Sequence, residues 1–186
     1  HYIKEGVLAI KPIDLPKMVS IRKRSKKVMK TNKKTLGKSI EERPEYINDR
    51  SEFGHWEIDL VLGKKTKGEA VMLTLVERQT RYALGVKLED KQSQTINRAV
   101  THLISQCPIA SITADNGSEF SLLSDLEAVD VYFAHPYSSH EIGTNGNFNG
   151  LLREYIPKGV SLNPLTSEEL DNDITAINER PRRLLQ

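Results

Sequence analysis

The succession of apolar patterns predicts a mixed α/β fold: a five-stranded sheet flanked by helices, with a basic arm ahead of it. Three observations carry this. Three β-rich runs follow one another at hairpin-length spacing. After them, helical and strand periods alternate. Cationic residues crowd ahead of the first strand, while the rest of the chain is acidic.

The first strand is His55-Trp56-Glu57-Ile58-Asp59-Leu60-Val61-Leu62, where Trp56, Ile58 and Leu60 alternate with His55, Glu57 and Asp59. Residues 71–77 and 82–88 are the second and third strands. Thr80 and Arg81 between them point to an antiparallel hairpin. Residues 93–105 carry Ile96, Val100, Leu103 and Ile104 at helical spacing. Residues 111–114 form a short strand that ends at Asp115, followed by the turn signal Asn116-Gly117. Residues 122–129 suit a helix and 131–134 a fifth strand, which His135-Pro136 ends. Thr166-Ser167-Glu168-Glu169 opens a last helix to Asn178, and Pro181 closes it.

Composition narrows the class. The chain has 186 residues, 28% of them charged and 38% hydrophobic, which suits a soluble domain with a modest core. The longest charge-free apolar run, Val71 to Val76, is far too short to cross a bilayer, so no membrane partner is expected. No charged-then-apolar leader opens the chain, and its start at His1 without Met fits a piece of something longer. The single cysteine, Cys107, permits no internal disulfide, and a reducing cytoplasmic setting is expected.

The net charge of +2 conceals an asymmetry. Residues 1–50 hold 14 Lys/Arg against 6 Asp/Glu, whereas residues 51–186 hold 13 against 19. The chain is therefore divided into a basic arm or linker, 1–50, and a globular core, 51–186. The arm has few apolar residues and no clear period, so it is not expected to fold alone. Its cluster Arg22, Lys23, Arg24, Lys26 and Lys27 suits the phosphate backbone of nucleic acid, because each cation that meets a phosphate releases a counterion. No aromatic stands between Met18 and Leu36, so base stacking is not expected there. A solvated linker is the plainer reading of the same residues.

The carboxylates matter most. Asp59 lies inside an apolar strand, where a charge needs a reason, and Asp115 sits on a sharp strand exit. Their two strands can be neighbours. Paired carboxylates repel unless something positive sits between them, and Mg²⁺ (with Mn²⁺ as substitute) prefers such hard oxygen ligands. Two such ions about 3.5–4 Å apart can serve phosphoryl transfer. His135 and His140 have no cysteine and no third clustered ligand beside them, so zinc is not expected.

A wider pattern joins these residues. His55-Trp56-Glu57-Ile58-Asp59, Thr74-Leu75-Val76-Glu77-Arg78, Thr80-Arg81-Tyr82 and Thr113-Ala114-Asp115-Asn116-Gly117 occur in order, followed by Gly143-Thr144-Asn145, Asn149-Gly150-Leu151-Leu152-Arg153, Pro157-Lys158-Gly159 and Asn178-Glu179-Arg180-Pro181-Arg182. Together they resemble the catalytic half of bacterial insertion-sequence transposases of the IS-thirty family. The resemblance implies a ribonuclease-H-like fold with an Asp-Asp-Glu metal site, acting on double-stranded DNA at element ends and target. It also implies a homo-oligomer during transposition and a nucleoid-associated protein. Asp59 and Asp115 match the first two acids. The third, a glutamate in the family, falls on Gly146, and Ile142 stands where the family has an arginine.

Read from its residues alone, 144–150 looks like a loop, because Asn-Gly recurs. The resemblance implies instead a helix beginning near Thr144. Glycine offers no metal ligand, so the variant is expected to cut and join DNA poorly. Both changes fit an engineered inactive version as well as a decayed element copy. Of the nearby acids, Glu141 precedes the helix and Glu154 lies too far along it, which leaves Glu57 as the least poor substitute. Arg153 and Lys158 are the expected backbone-phosphate contacts in the core. The alternative reading is a non-catalytic DNA-binding or assembly module derived from a transposase.

Overall fold

The computed structural model describes residues 35–136 and 138–181. Six strands form one sheet: β1 (Lys38–Ser39), β2 (His55–Leu62), β3 (Val71–Glu77), β4 (Ala83–Leu88), β5 (Ser111–Ala114) and β6 (Asp130–Phe133). Their order across the sheet is β1-β6-β5-β2-β3-β4. The β2–β3–β4 meander is antiparallel, and β5, β6 and β1 join parallel. The helices are α1 (Glu45–Asn48), α2 (Ser93–Gln106), α3 (Gly143–Tyr155) and α4 (Ser167–Asn178).

Period-two alternation sorts the side chains of β2. Trp56 and Ile58 enter one core with Ile96 and Val100 of α2 and with Phe120 and Leu123. Val61 enters the opposite core with Phe148 and Leu152 of α3 and Leu170 and Ile174 of α4. The sheet is thus covered on both faces, and Asp59 shares the α3 face with Val61. The Thr166 hydroxyl and the Glu169 carboxylate cap α4 reciprocally, as the sequence predicts.

Two elements differ from expectation. A sixth strand, β1, pairs with β6 through Lys38 and Ser39, and its edge is tied by a 2.6 Å contact from Lys38 Nζ to Asp130. Its two residues are too few to show a period. The helix expected over 122–129 is instead a 3-10 segment, Ser118–Asp125. Phe120 and Leu123 both face the core, and their spacing of three matches the 3-10 repeat. The chain must also reach β6 by Asp130, which leaves little room for a longer helix.

Candidate metal and active site

β2 and β5 run parallel, with Glu57 opposite Thr113. Asp59 lies two residues further along β2, and Asp115 directly follows the end of β5. Burial is the main reason the Asp59 carboxyl is pushed up to about 6. The negative charges of Asp115 and Glu119 push it the same way, while hydrogen bonds from Leu60 N and Asn149 oppose them. The sequence-derived pair is therefore brought together, close enough for one charge to press on the other.

Asp115 sits in a turn closed by its own side chain, whose Oδ1 accepts from Gly117 N at 3.0 Å. A Cβ on Gly117 would lie 2.9 Å from that oxygen and 2.8 Å from Glu119 Oε2. Glycine here lets two carboxylates close in on one backbone position. Glu119 was not singled out in the sequence reading; its spacing of four from Asp115 along the strand exit is the only signal it gives.

Gly146 lies in the first turn of α3, exposed, and a Cβ there would meet nothing within 4 Å. One turn on, Asn149 Nδ2 donates to Asp59 Oδ2 at 2.8 Å. Residues three apart share a helix flank, so a side chain at 146 has free space on the flank that serves Asp59. The helix start implied by the resemblance is present, and the loop reading of 144–150 is not. Tertiary bonds explain why the Asn-Gly repeats do not prevent it. Asn145 N donates to Glu57 Oε2 at 2.9 Å, and Asn145 Nδ2 donates to the carbonyls of Glu57 and Thr74 at 2.9 and 3.0 Å. The Thr74 hydroxyl lies within reach of Asn145 Oδ1, Asn149 Oδ1 and Asp59 O.

These bonds correct one expectation. Glu57 is fully buried, and its other oxygen accepts from Arg78 Nη1 at 2.6 Å. Its carboxylate clamps α3 onto β2 and is not on offer as a substitute metal ligand. Glu141 accepts from the His135 backbone and ring, and Glu154 pairs with Arg180 at 2.9 Å. Ile142 is buried, which suits its apolar side chain. His55 is buried with Nδ1 2.8 Å from Ser111 Oγ, and Trp56 is core.

Arg153 is half-buried, and Nη2 donates to Leu62 O at 2.8 Å, bracing the end of α3 against β2. Lys158 is exposed on the following turn. Arg22, Lys23, Arg24, Lys26 and Lys27 lie outside the described residues.

Two converging carboxylates, one with a raised pKa, offer the hard oxygen donors a divalent cation prefers. Among the described residues no group of three His, Cys, Asp or Glu is arranged to hold a metal ion. The donor chemistry of Asp59 and Asp115 fits a cation held by two acids. No helix among the described residues is long and apolar enough to cross a membrane.

Residues 49–139 match the integrase core domain family. The chain is 62% identical over 184 residues to a probable transposase for the insertion-like sequence element IS1161 of Streptococcus salivarius, covering 99% of this chain and 54% of that protein. It is 40% identical over 156 residues to the transposase InsI for insertion sequence element IS30A of Escherichia coli K12, covering 81% of this chain and 40% of that one. The chain thus spans about half the length of the curated relatives it matches. In three dimensions it is similar to the catalytic core domain of BIV integrase, with a TM-score of 0.50 and 14% identity, over 69% of this chain and 86% of that one. That likeness shows a ribonuclease-H-like fold. Residues 49–139 are an integrase core domain, and over nearly its whole length the chain is a homologue of the IS30-family transposases.

Proposed function

We propose that this chain is the catalytic core of a DNA transposase that cuts and joins phosphodiester bonds with a divalent cation, Mg²⁺ or Mn²⁺, and that Gly146 impairs it. The observation that carries the reading is the approach of Asp59, on β2, to Asp115, just past the end of the neighbouring parallel β5, close enough that the Asp115 charge helps burial raise the Asp59 carboxyl to about 6.

In this reading Asp59 and Asp115 hold the cation. When bound, the metal supplies an activated oxygen nucleophile and stabilises charge on the leaving oxygen. The chain's residues prepare the site. Asn149 holds one oxygen of Asp59 in place, and the Gly117 turn fixes Asp115. Glu57 and Asn145 pin the start of α3, which carries position 146, against β2. Glycine there leaves the metal without an oxygen ligand and without one compensating charge. Loss of a group beside a metal ligand costs about 10–100-fold. Loss of a ligand itself is larger, above about 3 kcal/mol of transition-state stabilisation.

The arm ahead of the core, Arg22 to Lys27 in particular, grips the backbone of element-end and target DNA, with Arg153 and Lys158 as contacts in the core. The protein works as a homo-oligomer, because joining two ends needs more than one copy, and its place is the cytoplasm beside the nucleoid.

The test is cleavage of element-end DNA with Mg²⁺ or Mn²⁺ by this chain and by a Gly146→Glu, Ile142→Arg version. The restored version is expected to cleave at least about 100-fold faster. Equal cleavage by the two removes the claim about position 146. A non-catalytic DNA-binding or assembly module is the second reading, which the missing acid and the basic arm both fit. It predicts DNA binding by both proteins and cleavage by neither.

A further inference from the structure

The turn between β2 and β3 carries Lys64, Lys65 and Lys67 within four residues, all exposed. The core around it is acidic, with 13 Lys/Arg against 19 Asp/Glu in residues 51–186. Among the described residues none of the three lysines has an ion-pair partner. A solvated loop needs no more than this, but the turn is held firmly. Gly63 at its base is buried, and a Cβ there would lie 2.6 Å from Val160 O and 2.8 Å from Leu162 Cγ. Glu69 on the far side accepts from Ser161 Oγ at 2.8 Å and also from Leu162 N. Asn163 accepts from Ala70 N at 2.8 Å and donates to Gly68 O at 3.2 Å. The lysines therefore stand on a turn stitched from both ends to the segment that follows α3.

Its position is directional. β2 and α3 run side by side, tied at Asp59 by Asn149 and at Leu62 by Arg153. Both lead from the paired acids to the lysine turn. At about 3.3 Å per strand residue, the turn lies on the order of 10–20 Å from Asp59. Lys158 stands two residues before Val160, which packs on Gly63 at the base of the turn. Glu89 and Asp90 border the turn on the β3 side, and the Asp90 carboxylate is engaged by Gln92.

We propose that Lys64, Lys65 and Lys67 form a rigid finger that contacts the phosphate backbone of duplex DNA about 3–6 base pairs from the phosphate seated at Asp59 and Asp115, taking about 3.4 Å per base pair. This rests on the reading of the chain as a DNA-acting enzyme. Charge complementarity selects the occupant: phosphates spaced regularly along a duplex match a line of fixed cations, and they are read without base preference. Holding the lysines still reduces the ordering that binding would otherwise require.

The test is duplex binding by the full chain, followed by fluorescence anisotropy over a range of NaCl concentrations. The probe is a mixed-sequence duplex. The comparison is with a Lys64→Gln, Lys65→Gln, Lys67→Gln variant and an Arg98→Gln control on α2, away from the turn. Each lost phosphate contact flattens the log K against log salt slope by about 0.9, so the finger variant should lose about 2–3 units of slope and the control none. Its affinity at low salt should fall roughly tenfold or more. A finger variant with the parent's slope overturns the inference and leaves the DNA reading standing. A parent chain that does not bind the duplex overturns both. A second measurement locates the contact. With Cys107→Ser, a photo-cross-linker on Lys65→Cys should mark nucleotides 3–6 base pairs from the cut, taking the spacing as about 3.4 Å. Marks scattered along the duplex contradict the placement.

Discussion

Asn149 Nδ2 donates to Asp59 Oδ2 at 2.8 Å, from a helix position one turn beyond Gly146. Asn149 and Gly146 are thus on one flank of α3, and the helix reaches Asp59 through Asn149.

Replacing Asn149 with Leu removes the bond that holds the Asp59 carboxyl down. Its pKa should rise beyond about 6, read by carbon-13 carboxyl NMR in metal-free protein. Mn²⁺ affinity should fall about 10–100-fold. An unmoved Asp59 titration would show that the bond is not made in solution.

Asp59 also predicts a pH dependence of stability. Its folded pKa, about 6, lies above the ordinary aspartate value of 3.8, so the folded state binds the proton more tightly. Stability from this group is full below the unfolded value and is lost as pH rises through about 6. At neutral pH in chelator the charged form costs about 2–3 kcal/mol. Asp59→Asn should therefore raise the Tm of the metal-free chain at pH 8, by roughly 5–10 °C, and leave it little changed below pH 4. Equal shifts at both pH values would contradict a titrating carboxylate.

Glu57 is predicted to be structural. Glu57→Gln leaves Arg78 buried opposite a neutral amide and should destabilise the chain by about 3–5 kcal/mol in urea unfolding. Where the variant folds, its Mn²⁺ stoichiometry should match the parent's. A changed stoichiometry would make Glu57 a ligand after all.

Gly117→Ala tests the turn at Asp115. The added methyl would lie within 3 Å of two carboxylates, which must move apart. Backbone φ there is −77°, so strain is not the cause. A loss of about 1–3 kcal/mol is expected, with weaker Mn²⁺ binding. Unchanged metal affinity would mean that Asp115 is positioned by other contacts.

Much of this was legible in the sequence. The alternation in His55–Leu62 and the Asn116-Gly117 exit identified β2 and β5, and with them the two acids. The hairpin and the capped helix followed from local patterns. The rest depends on contacts between distant residues. Glu57 looked like a spare acid because sequence shows it two residues from Asp59, not that Arg78 and Asn145 occupy it. The start of α3 looked like a loop because Asn and Gly dominate it, and a buried carboxylate on another strand holds it helical. Nothing local marks Lys64, Lys65 and Lys67, because the turn that carries them is fixed by contacts of Gly63, Glu69 and Asn163 that join distant parts of the chain.

The most direct test of the central claim is a crystal of this chain soaked in Mn²⁺, with the metal located by anomalous scattering. The account predicts manganese bridging Asp59 and Asp115, with no protein ligand supplied from position 146. Manganese elsewhere, or carboxylates that turn from one another at full soak, would contradict it.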